Sequence, residues 1–194
     1  MPVPVEAEVR AVLGDAEDRL RAVIDRAWAE WQECELRGRL IFARAKSDVI
    51  FDFIARHALA EFGDDKDVYI IAKQSTVKFL FRDQVLLRFK KGNAKGVGSN
   101  IETQATLDFI EPERKLFPDL PDILKVEVCY QPDKLGAQIK EVAVVARDRR
   151  KRIWAYPLSP AAGAEVISLV PRTTEPTPPV VVVRKTDEKS ETAE

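Results

Sequence analysis

The sequence predicts an α+β fold: two amino-terminal helices packed on an antiparallel meander of about five strands, with one inserted helix and a disordered carboxy-terminal tail. Three observations carry this. Apolar residues recur at steps of three and four as far as Phe62, alternate with polar ones through much of the middle, and yield to proline and charge after residue 170. The organisation that follows is a long amphipathic acidic helix over 1–36, an α+β body over 37–170 and a Pro/Val/charged tail over 171–194.

From Val9 the positions Val9, Leu13, Ala16, Leu20, Val23, Ala27, Trp31 and Cys34 form one helical seam, interrupted only by Gly14. Such a narrow seam can pack on its own chain or on the same helix of a second copy. After Gly38, "RLIFARAKSDVIFDFIARHALAEF" is a second helix whose apolar residues cover more than one face, which predicts the central helix. Gly63 and "DDKD" end it.

The run "VYIIAKQSTVKFLFRDQVLLRFKK" alternates and turns near "RDQ". Val77, Phe79 and Phe81 then point one way, and Val85, Leu87 and Phe89 join them across the hairpin. The opposite face shows Lys78, Arg82, Arg88 and Lys90. A helix near 101–109 and the loop "EPERKLFPDLPD" separate this hairpin from "ILKVEVCYQ", "AQIKEVAVVARD" and "RIWAYPL", three further strands. In the tail, Val180–Val183 can add as a strand to an exposed sheet edge of a partner, or the valines can do nothing specific.

Composition narrows the function classes. With 45% apolar residues, nine Phe and three Trp, the chain can fill a core. The absence of a long apolar run predicts no spanning helix, and "MPVPVEAEVR" has no secretory pattern, so the expected location is the cytoplasm of a prokaryote-like cell, with no membrane partner. Cys34 and Cys129 read as free thiols, no ligand spacing predicts a metal, and no cofactor is expected. His57 reads as a structural residue of its helix. The net charge of −1 is uneven: residues 1–35 carry nine acids against four arginines, whereas residues 36–170 are net basic.

The stretch "GNAKGVGSN" supplies three glycines in seven residues, followed by Ser99 and Glu102 at capping-box spacing. Fed by a cationic strand, it is either a solvated crossover or an anion site built from Lys78, Arg82, Arg88, Lys90, Lys91, Lys95, Gly96, Gly98, Ser99 and Asn100. It matches neither the Gly-x4-Gly-Lys-Ser/Thr loop nor Gly-x-Gly-x-x-Gly. The basic run "ARDRRKR" at 146–152 is a further phosphate-contact candidate. A nuclease or phosphotransfer enzyme would use Arg88 and Lys90 with Asp83 or Glu102, but no catalytic residue is fixed by the spacing.

Taken together, "VLLRFKKGNAKGVGSNIETQATLDF", "FPDLPDILKVEVCYQPDKLGAQIKEVAVVARD" and "IWAYPL" resemble an uncharacterised prokaryotic protein family with an Arg-Phe-Lys-Lys, Ser-Asn, Thr-Gln core, over roughly residues 36–160. The resemblance implies genes that often lie beside helix-turn-helix or zinc-peptidase-like regulators, hence a two-gene module of the toxin–antitoxin or phage-defence kind. The expected function is then a partner-controlled component that binds nucleic acid or a nucleotide. The alternatives are the enzyme above and a non-catalytic adaptor acting through helix and tail, with a protein partner or a second copy as the expected company.

Overall fold

The computed structural model describes residues 4–73, 76–93, 95–99, 109, 123–149 and 151–160. The chain divides into two compact units, Met1–Ala164 and Glu165–Glu194, and all described residues lie in the first. Its elements are helices α1 (Glu6–Leu13), α2 (Glu17–Glu33) and α3 (Ala43–Phe62), then strands β1 (Val68–Lys73), β2 (Thr76–Phe81), β3 (Val85–Lys91), β4 (Leu124–Pro132), β5 (Ile139–Asp148) and β6 (Lys151–Pro157). The architecture is α+β, as the sequence predicts. The inserted helix near 101–109, the Leu-Pro loop and the Val180–Val183 segment fall outside the described residues, apart from Phe109.

The predicted long helix is broken where Gly14 stands. Gly14–Ala16 forms a 3₁₀ turn between α1 and α2. The seam nonetheless stays on one side: Val9, Leu13, Leu20, Val23 and Ala27 are fully buried in one core with the sheet of the same chain. The second helix starts at Ala43 rather than near Arg39. It buries a single stripe, Ile50, Ile54, Ala58 and Phe62, while Ile41 and Phe42 stand exposed before it. Apolar residues counted on every face therefore include some that solvent reaches.

Between α2 and α3, Arg19 bonds Glu61 at 2.9 Å and Asp65 at 2.6 Å, and Arg26 bonds Glu61 at 2.6 Å. His57 Nε2 lies 2.9 Å from Glu30 Oε2, a bond across the same helix pair. Among the described residues no helix is long and apolar enough to cross a membrane.

The six strands lie in sequence order in one sheet. Within the hairpin the register is Phe79↔Leu87 and Phe81↔Val85, so the predicted apolar face forms across β2 and β3. It meets Phe62, whose ring is 5.9 Å from Phe79 and 5.4 Å from Phe81, both edge to face. The sheet departs from the predicted antiparallel meander at one place. β3 and β4 are parallel, paired Val85↔Leu124 through Lys91↔Tyr130. Parallel neighbours need a crossover of a dozen residues or more, and residues 92–123 supply it. The predicted inserted segment is thus what reverses the direction of the meander.

Replacing Phe62, fully buried where α3 meets β2, by Ala should cost about 3–5 kcal/mol, read as a shift of the urea midpoint.

Candidate functional site

Strand alternation gives the sheet two unlike faces. Phe89, Val126, Val128 and Val144 point toward the helices, whereas Arg88, Glu127 and Arg147 point to the other side. On that side Arg88 stands opposite Glu127 in the β3–β4 register. Its Nε and Nη2 donate to Glu127 Oε1 at 3.0 and 2.5 Å. Arg147 Nη1 approaches Glu127 Oε2 at 3.5 Å. Glu127 is fully buried, and both arginines are nearly so. The Phe109 ring lies over the Arg88 guanidinium, 4.0 Å from its centre, and 5.5 Å from Lys78 Nζ.

Burial opposes charge on Glu127, yet Arg88 and Arg147 outweigh it and hold the carboxyl below the ordinary glutamate range. Desolvation, aided by Arg88, lowers the proton affinity of the half-buried Lys90 amine. Burial and the neighbouring Glu127 push the Cys129 thiol well up, which keeps it protonated and inert.

The glycine-rich loop lies directly on this cluster. A Cβ at Gly98 would come within 2.4 Å of Glu127 Oε2, and one at Gly92 within 2.8 Å of the Gln131 side chain. Gly96 adopts φ +73°, the left-handed region. The glycines therefore serve close approach to β4. The loop amides are also spent internally: Gly92 donates to Tyr130 O, Asn93 to Val97 O, Gly96 to Asn93 O and Ser99 to Lys91 O. Asn93 Oδ1 accepts from Lys95 and Val97. A phosphate reaching the described part of this loop would meet side chains rather than free amides, and the helix start after Ser99, the other half of the anion-site reading, lies outside the described residues.

The cationic residues read from sequence are consequently dispersed. Arg82 sits in the β2–β3 turn at φ 47°, paired to Asp15 at 2.8 Å and Asp67 at 3.3 Å. Asp83 shares that turn, at the far end of β3 from Lys90, roughly 20 Å along an extended strand. Lys91 turns toward α3, 3.4 Å from Ser47 Oγ. Arg88 is buried and Lys78 lies near Phe109, so the hairpin is no open basic face. Lys95 and Ser99 remain exposed, and Asn100 and Glu102 fall outside the described residues.

What the structure adds is the β5–β6 tip. Between Ala146↔Trp154 and Arg147↔Arg152 the register shifts by one, leaving Ile153 as a bulge in β6. Plain alternation from Trp154 would aim Arg152 at the helices; the bulge turns it to the opposite face. There Arg152 Nη1 donates to Lys95 O at 3.2 Å, and Arg147 Nη1 donates to Gly98 O at 3.0 Å. Two basic segments some fifty residues apart are thereby bonded to one another. Exposed Lys95, Arg149, Lys151 and Arg152 line their junction, with Asp148 and Glu141 as described acids beside them. A recess between Gly96, Gln131, Glu141 and Arg152 has room for about one water, so a ligand here lies across the surface rather than entering it.

Sequence reasoning passed over Glu127 as a partner for Arg88. The signal was present: opposite charges set centrally in two strands, "LLRFK" and "KVEVC", that are otherwise largely apolar. No family model matches the chain, and no curated protein or solved structure matches it significantly.

Because the Gly98 contact is with a carboxylate that cannot swing away, Gly98→Ala should cost about 1–3 kcal/mol by overpacking. Removing the charge with Glu127→Gln strands two buried arginines and should cost about 3–5 kcal/mol at neutral pH. A carboxyl depressed on folding stabilises above its ordinary pKa of 4.5 and loses that contribution as pH falls through its folded value. The stability gap between wild type and Glu127→Gln, followed by chemical denaturation, should therefore narrow as the pH falls below 4.5 and level off once the folded carboxyl is protonated.

Proposed function

We propose that this protein binds the phosphate backbone of a nucleic acid along the junction of the glycine-rich loop and the β5–β6 tip. The observation that carries this is the bonding of Arg152 to Lys95 O and Arg147 to Gly98 O, which gathers cations from both segments on one exposed edge. Its open, shallow form suits a polyanion backbone better than an enclosed nucleotide. Fixed loops with lysine and arginine at their tips neutralise phosphates without reading bases, so binding should depend on salt more than on sequence. In this proposal such binding serves a partner-controlled module of the toxin–antitoxin or phage-defence kind, which the resemblance noted in the sequence implies. An enzymatic use of Arg88 and Lys90 with Asp83 lacks proximity, since Asp83 lies at the other end of β3.

The triple variant Lys95→Ala, Lys151→Ala, Arg152→Ala should weaken binding of labelled RNA or duplex DNA and reduce the salt slope by about two, as roughly one counterion is released per phosphate neutralised. Anisotropy titrations across a salt series measure both. Absence of wild-type binding to either nucleic acid at low salt, or an unchanged slope in the variant, would overturn the proposal.

A further inference from the structure

The molecule carries a second unexplained surface, on the helix side of the sheet. Ile41, Phe42 and Leu135 are 86%, 74% and 87% exposed, and Leu36 is also exposed. These are large apolar side chains at loop tips. The segments that carry them, before α3 and between β4 and β5, are far apart in sequence but joined in space: Gln32 Nε2 and Arg37 Nη2 both donate to Gly136 O, at 3.3 and 3.4 Å. Basic residues flank the tips in sequence. Residues 36–46 contain Arg37, Arg39, Arg44 and Lys46 and no acid, and Lys134 adjoins Leu135. Glu35 at 4.0 Å from Arg39 and Asp48 at 3.8 Å from Arg44 contact two of these cations only loosely, all four being highly exposed, and Asp133, which precedes Lys134, accepts from the Ala137 and Gln138 amides.

We infer that this end of the molecule docks on an anionic lipid bilayer, with Ile41, Phe42 and Leu135 entering the headgroup boundary and the arginines and lysines meeting lipid phosphates. Projecting aliphatic and aromatic tips need no complementary pocket in a fluid interface, and basic neighbours gain from anionic headgroups. A second copy of this chain is a poor occupant, because a symmetric contact would set the same cations against one another. The apolar footprint, on the order of a few hundred Å², is also below the roughly 800 Å² per partner of a stable protein interface. The contact is peripheral and requires no spanning helix.

Sedimentation of the full chain with phosphatidylcholine vesicles, with or without phosphatidylglycerol, tests this. The wild type should pellet with the mixed vesicles and stay in solution with phosphatidylcholine alone. The double variant Ile41→Ser, Phe42→Ser should lose about tenfold in partitioning with an unchanged circular dichroism spectrum, since both side chains are exposed. Arg37→Gln, Arg39→Gln and Arg44→Gln together should weaken it too, and Lys95→Ala, Lys151→Ala, Arg152→Ala should not. No pelleting with anionic vesicles would overturn the inference. So would pelleting lost in the cationic variants but kept without Ile41 and Phe42, which is adsorption to any polyanion. Capture of an acidic peptide through Phe42 without vesicle binding would assign the surface to a protein and overturn it equally.

Discussion

The charge of Glu127 is the constraint around which the outer face of the sheet is arranged. A carboxylate with no exposure cannot remain ionised without partners, and Arg88 from the neighbouring parallel strand and Arg147 from the next strand supply them. One ion cluster therefore links β3, β4 and β5. Gly98 must approach without a side chain, and the loop that leaves β3 closes on itself through the Gly92–Gly98 bridge and is held to β4 by the bond from Gly92 to Tyr130 O and to β5 by the bond from Arg147 to Gly98 O. The start of the crossover is thus fixed by electrostatics and by the lack of a Cβ.

The two faces of the sheet use different physics. Toward the helices, burial of Phe62, Phe79, Phe89, Leu20 and Trp31 is non-directional and tolerant of small shifts. On the other face, oriented ion pairs tolerate little displacement, and the geometry they impose reaches the surface as the position of Lys95 and Arg152. The bulge at Ile153 connects the two, since it lets Trp154 stay on the helix side while Arg152 changes sides. The ion pairs joining α2 to α3 are half-exposed and contribute modestly beside this core.

The helical seam and the hairpin alternation were legible because both express burial directly in residue period, as the fates of Leu13, Leu20, Phe79 and Phe81 illustrate. The parallel step between β3 and β4 was not, because strand direction depends on where a connection re-enters the sheet and not on either strand's pattern. The candidate site suffered most. Alternation places Arg88 and Lys90 on the face away from the core but does not show that Phe109 and the glycine loop cover it. Of the loop glycines, Gly98 packs against Glu127 and Gly92 against Gln131, contacts between positions too distant in sequence for local pattern to reveal. The exposure of Ile41 and Phe42 was hidden for the converse reason, since apolar residues beside a helix are counted as its buried face.

The dependence of the loop on Glu127 is open to a direct test by amide hydrogen exchange in the wild type and in Glu127→Gln under native conditions. The expected result is protection of the Gly92, Val97 and Ser99 amides in the wild type, with a marked and local loss in the variant while Phe79 and Val144 amides stay protected. Unprotected exchange of those loop amides in the wild type, or protection that survives loss of the charge, would contradict the account.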